Sequence, residues 1–349
     1  NPASIFSAFA PRRKKYALKR PGDKTKSTDH KNTKTPHNKS IIKAIELFKE
    51  YEGFGINYNL ANKDFMLNGI MTVVKNSKLM KMFKGIRYDK KMMLGVKEKP
   101  VVLMNIGLNF YEYYKYLIYL YPEKFTKQLE KRQEAFKKKY GVDLVNDIIK
   151  NLAGMMSFGA YDGAKIHRLN YNGLMSYNVK NSRKMAKVLA KIMKKMRPSK
   201  VRTTKIGGKK VYIYNMGFVQ MYIGMKGNNV IVSANKPMYD KALKGSVWKG
   251  FLRSIKDRKL KRILKDRNSC FYLSFDEFKK VINNFPFAFR KVKKKHKQAL
   301  GKFKYFVIYS KVRGTKYYSY YILKTRFTEP FFKGMSKLIE DMKKSRLRR

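Results

Sequence analysis

"VQMYIGMKGNNVIVSANKPMYDKALKG" (residues 219–245) decides the reading of the fold. Apolar and small or polar residues alternate with the period of a strand up to Lys226, Gly227-Asn228 supplies the tight turn of a hairpin, and the alternation resumes at Val230. After Pro237 the apolar spacing becomes that of a short helix. The stretch therefore predicts strand, turn, strand, helix.

The same order returns three times. Residues 54–83 ("FGINYNLANKDFMLNGIMTVVKNSKLMKMF") read as two strands and a helix from Ser77 to Phe83. Residues 155–196 repeat it, with a turn at Asp162-Gly163 and a helix from Asn181 to Met196. Residues 305–342 repeat it again, with Arg313-Gly314 as the turn and a helix after Pro330. A strand leading into a helix precedes two of these units, at Val101 and at Ser269. The shared order predicts an α+β fold of two related modules, each an antiparallel sheet flanked by helices, over residues 41–196 and 197–349. Residues 1–40 stand apart as a flexible basic arm: between positions 11 and 40 there are eleven Lys or Arg, two Asp and almost no large aliphatic residue.

Within the modules, Met185, Val188, Leu189, Ile192, Met193 and Met196 fall on one helical face and Lys184, Lys187, Lys191, Lys194 and Lys195 on the other. Gly141 suits a helix C-terminus and Asp143 an N-cap, with a helix predicted from Leu144 to Ala153 whose Leu144, Val145, Ile148, Ile149 and Leu152 stripe faces the core.

Composition bounds the function. The 349 residues are 44% hydrophobic and 14% aromatic, enough for a substantial core, yet 82 Lys and Arg against 23 Asp and Glu leave a formal charge of +59. Self-repulsion of that size favours an anionic neighbour. Lys, Asn, Tyr, Ile and Met rise together, the composition an AT-rich genome would produce, and background bias is the competing explanation for part of the excess charge. The single cysteine, Cys270, excludes an internal disulfide and a four-cysteine zinc site. No stretch reaches the roughly 18 apolar residues that span a bilayer.

Residues 136–163 ("FKKKYGVDLVNDIIKNLAGMMSFGAYDG"), 209–243, 266–282 and 317–339 resemble, in pattern, a family of uncharacterised bacterial proteins, mostly secreted or periplasmic, known as a domain of unknown function. The likeness runs from about Pro100 to Met342. It implies an extracytoplasmic two-module α+β protein of the periplasm or cell envelope and implies no chemistry. The charge departs from that family.

Chemical motifs are sparse. "KIGGKKVY" (205–212) lacks P-loop spacing and precedes a strand, so it reads as a hairpin turn. His30, His37, His167 and His296 form no ligand pair, which leaves no predicted metal or cofactor. Asp162, Asp276 and Glu277 follow strands and are the foremost of the few carboxylate candidates for acid and base; Asp162 also fits a turn, and Asp276 an N-cap. An enzyme is the third reading, behind two binding readings.

The candidate polyanion-binding residues come from the arm (Arg12, Arg13, Lys14, Lys15), the helix face (Lys184, Lys187, Lys191), the run 253–267 (Lys259, Lys261, Arg262), the run 290–304 (Lys293, Lys294, Lys295) and the strand "KYYSYYILKTR" (Lys324, Arg326). That strand also places Lys316, Tyr318 and Tyr320 on one side, a combination of charge and rings that single-stranded nucleic acid uses. The run 290–304 reads as an exposed connecting segment. Lysine predominates over arginine, which favours diffuse charge contact over bidentate phosphate recognition. The predicted partner is an anionic surface within a larger assembly: an acidic protein assembly, anionic lipid or glycan, with nucleic acid in the cytoplasm as the alternative.

Overall fold

A computed structural model describes residues 49–349 except 60–61, 85–98, 122, 167–171, 218, 245–256, 259, 262–268, 286–293 and 348–349. The arm at 1–40, with Arg12, Arg13, Lys14 and Lys15, lies outside the described residues, as do Lys259, Arg262 and Lys293.

The alternating segments form twelve strands: β1 (Tyr51–Asn59), β2 (Phe65–Val73), β3 (Pro100–Gly107), β4 (Leu152–Tyr161), β5 (Gly173–Val179), β6 (Val201–Ile206), β7 (Lys209–Asn215), β8 (Gln220–Lys226), β9 (Asn229–Ser233), β10 (Ser269–Ser274), β11 (Phe303–Arg313) and β12 (Lys316–Thr325). They join one antiparallel sheet in the order β1-β2-β12-β11-β10-β3-β4-β5-β9-β8-β7-β6. The helices are α1 (Lys78–Phe83), α2 (Phe110–Leu120), α3 (Glu123–Tyr140), α4 (Ser182–Lys195), α5 (Lys236–Lys244), α6 (Phe275–Asn284), α7 (Lys294–Leu300) and α8 (Phe331–Leu347). The fold is α+β, as the sequence predicts, and residues 49–349 cluster as one unit. Three strand pairings cross position 196: β2 with β12, β3 with β10 and β5 with β9.

Each face of the sheet has its own core, and strand alternation assigns residues to them. Leu103, Leu174, Ile231, Tyr272 and Val307 lie on one face in a single cluster, which Met238, Tyr239 and Ala242 of α5 join where that helix packs on β5, β8 and β9. Val179, Val230 and the half-buried Tyr177 and Val232 lie on the other under Met185 and Val188 of α4, with Phe136 and Tyr140 of α3 beside them. On the first face a polar row crosses the middle of the sheet, where Ser157 donates to Asn105 and Ser176 follows at the next strand, all three buried.

Local chemistry explains most boundaries. Ser77 and Asn181 cap α1 and α4 by accepting the N–H groups of Met80 and Lys184. Gly207 and Gly208 turn β6 into β7 at φ +55° and +74°, a pair that only glycine adopts without strain. The predicted helix 144–153 is a correction: Leu144–Ile148 makes a single wide π turn, Ile149–Asn151 a 3-10 turn, and Leu152 already begins β4. The cause is tertiary, because the buried Asn151 amide donates to the Asn181 carbonyl and accepts the Asn181 N–H, which ends the helix there. Leu144, Val145, Ile148, Ile149 and Leu152 are all half-buried, and of the predicted stripe Ile148 and Leu152 pack against the core under α4; Asp143 does cap the turn through Val145 and Asn146. The N-cap of α6 is Ser274, not Asp276, which sits inside the first turn. The run 290–304 is also corrected: its described part is the helix α7 packed against α6 and α8, followed at once by β11.

Candidate anion-binding surface

On α4 the apolar side is committed to the core, which forces the lysines outward. Met185, Val188 and Met193 are buried, while Lys184, Lys187, Lys191, Lys194 and Lys195 are exposed. At 1.5 Å rise per residue, Lys187 to Lys195 spans about 12 Å of helix axis. Beside α4, α3 contributes Phe136 and Tyr140 to the same apolar cluster and exposes Lys137, Lys138 and Lys139 in its last turn. Two helices thus present one lysine ridge above a shared core.

Two of these cations are neutralised inside the molecule. Lys184 Nζ lies 3.1 Å from Asp147 and donates to the Asn146 carbonyl at 3.0 Å, and Lys137 lies 3.8 Å from Asp143. The Asn146 N–H holds the Asp143 carboxyl below its ordinary range, and the Asp143 N–H does the same for Asp147, aided by Lys184. Lys187, Lys191, Lys194 and Lys195 make no ion pair among the described residues. They form the free part of the ridge.

The candidates on β12 have a different fate. Lys324 Nζ is 2.6 Å from Asp64, whose other oxygen accepts the Thr325 N–H at 2.9 Å. Arg326 lies just beyond the strand and is 2.6 Å from Asp276, with its other nitrogen donating to the Gly301 and Phe303 carbonyls. Both residues fasten the end of β12. Tyr318 and Tyr320 share a strand face with Lys316 and Lys324, yet Tyr320 stacks on Tyr309 at 4.5 Å, so one face of its ring is taken. Lys261 is half-buried, and Lys294 and Lys295 open α7, their side chains outside the described residues.

The carboxylates considered for acid–base work hold turns together. Asp162 occupies a left-handed turn at φ +51° and pairs with Lys165. Glu277 is 3% exposed, accepts the Gly163 N–H at 3.0 Å and pairs with Lys280 at 2.8 Å. A Cβ on Gly163 would overlap the Glu277 carbonyl, which is why glycine is required at this approach. Burial pushes the Tyr272 hydroxyl up to about 12 and Tyr305 higher still, so both are neutral donors at pH 7; Tyr305 donates to Asp257 at 2.6 Å.

Cys270 is buried in β10. No group of three His, Cys, Asp or Glu side chains is placed to hold a metal among the described residues. No helix among them is long and apolar enough to cross a membrane. What the sequence pattern missed is an exposed apolar row, Phe54, Ile56 and Tyr58 on β1. Its signal was present in the alternation, but alternation alone assigns such a row to a core. Comparison with protein-family models, with curated proteins and with solved structures returned no match.

Proposed function

We propose that the chain is a non-enzymatic binding protein of a bacterial envelope or envelope-associated assembly, docking on an anionic surface through the lysine ridge of α3 and α4. The observation that carries this reading is the set Lys187, Lys191, Lys194 and Lys195, exposed on one helix with no ion pair among the described residues. A diffuse row of ammonium groups on a convex helix suits a lipid or glycan surface, where each basic residue gains about 1 kcal/mol.

The chain is also an internal duplication in this reading. One half runs β1-β2-α1-β3-α2/α3-β4-β5-α4, and the other β8-β9-α5-β10-α6/α7-β11-β12-α8. Exchanging the halves reverses the sheet order from β1 to β8 onto itself, with β6–β7 as an added hairpin. This agrees with the two-module pattern of the bacterial family that the sequence resembles.

The test is binding across a salt series to anionic vesicles and to single- and double-stranded nucleic acid. Vesicle binding lost in Lys187→Glu/Lys191→Glu, with weak and quickly screened nucleic-acid binding, supports the reading. Tight nucleic-acid binding at physiological salt with a steep log–log slope overturns it.

A further inference from the structure

We infer that the outer edge of β1 pairs with the same strand of a second copy, making a closed two-fold dimer with one continuous sheet. The surface involved is separate from the lysine ridge.

β1 is the terminal strand of the sheet, and among the described residues it pairs only with β2. Its alternation places Phe54, Ile56 and Tyr58 on one face, exposed by 83%, 62% and 58%, and Gly53, Gly55 and Asn57 on the other. A row of large apolar side chains along an open strand edge is a template for strand addition. The opposite edge is guarded in the usual way, because β6 exposes Arg202 and Lys205. β1 carries Glu52 and no Lys or Arg, and β2 carries none either, in a chain of net charge +59. This is an edge at which two such cations can approach.

The other end of the sheet shows what such a strand binds. Hairpin β1–β2 flanks β12, and hairpin β8–β9 flanks β5 in the mirrored position. The outer side of β8 is covered by β7, antiparallel, over five residue pairs from Val211↔Gly224 to Asn215↔Gln220. For β1 that antiparallel partner has to come from outside the described residues.

A second β1 fits its own edge. Antiparallel pairing about a two-fold axis through Ile56 sets Ile56 against Ile56 and Phe54 against Tyr58, all six side chains on one face, with Gly55 against Asn57 on the other. The contact is the same patch on both copies, so it closes at two. Head-to-tail pairing of β1 with β6 would instead set the apolar row against Val201, Thr203 and Lys205, and would not close.

Sedimentation equilibrium of the full chain tests this. The wild type is expected to dimerise, and more strongly as salt screens the +59 charges, opposite to the salt dependence of anion binding. Ile56→Lys is expected to weaken association at least about tenfold, with the circular dichroism spectrum unchanged. Ile56→Cys reads the register, since Cys270 is buried: mild oxidation should give a covalent dimer, and Lys205→Cys should give none. A wild type that stays monomeric at every salt concentration overturns the proposal, whatever covers the edge, residues 1–48 included. So does an open ladder of oligomers, or dimerisation untouched by Ile56→Lys.

Discussion

The lysines of α4 and the two cations at the end of β12 look alike in the sequence and do opposite things. Lys187, Lys191, Lys194 and Lys195 project from a helix whose other face is core, and no described carboxylate reaches them. Lys324 and Arg326 meet Asp64 and Asp276, residues brought to the strand end from 260 and 50 positions away. With 23 carboxylates for 82 Lys and Arg, most cations go unmatched, so the informative ones are those the fold does match. The first set is available to a partner, and the second holds the sheet to its loops.

Substitutions should separate the two sets. The largest effect belongs to a buried acid of the structural set: Glu277→Ala strands the Gly163 N–H and should cost about 3 kcal/mol of unfolding free energy, while Glu277→Gln keeps an acceptor and should cost less. Urea denaturation measures both, and equal losses would mean that packing, not the hydrogen bond, matters there. Next comes Asp64→Ala, which removes the acceptor of Thr325 and the partner of Lys324 and should cost about 1–3 kcal/mol.

By contrast, Lys187→Glu/Lys191→Glu should move stability by less than about 0.5 kcal/mol, and yet lower affinity for anionic vesicles by about tenfold or more. A stability loss matching that of Asp64→Ala would erase the distinction between ridge and seam. The smallest effect is one of pH. Asp143 and Asp147 have folded values below the ordinary Asp value of about 3.9, so the stability they contribute is present above it and is lost as pH falls through the folded values. Protection of the Val145 and Asn146 amides, measured as exchange relative to the intrinsic rate at each pH, should therefore fall in acid before that of the rest of the sheet.

Local chemistry was legible in the sequence and long-range partnership was not. The lysine and apolar faces of α4, its extent to within a residue of each end, and the turns at Gly207-Gly208 and Gly227-Asn228 follow from spacing and residue type. Alternation assigns residues to faces and says nothing of which strand lies alongside, so the joining of β2 to β12 and of β5 to β9 was hidden. The same limit produced the corrections. The predicted helix 144–153 ends early because Asn151 binds Asn181, and Lys324 was read as free because Asp64 is distant in the chain. The strand at Phe54, Ile56 and Tyr58 was legible, but the exposure of its apolar row was not, because the absence of a covering element cannot be seen from within a strand.

The pairing of β2 with β12 also bears on how the protein is made. Asp64 waits for Thr325, 261 residues later, and at about 5–20 residues per second of synthesis the interval is roughly 13–52 s. Through all that time hairpin β1–β2 exists without its neighbour, with the open edge of β2 available to the wrong partner. A sheet closed by its last strand folds late and slowly, so the emerging chain stays open to mispairing until β12 arrives.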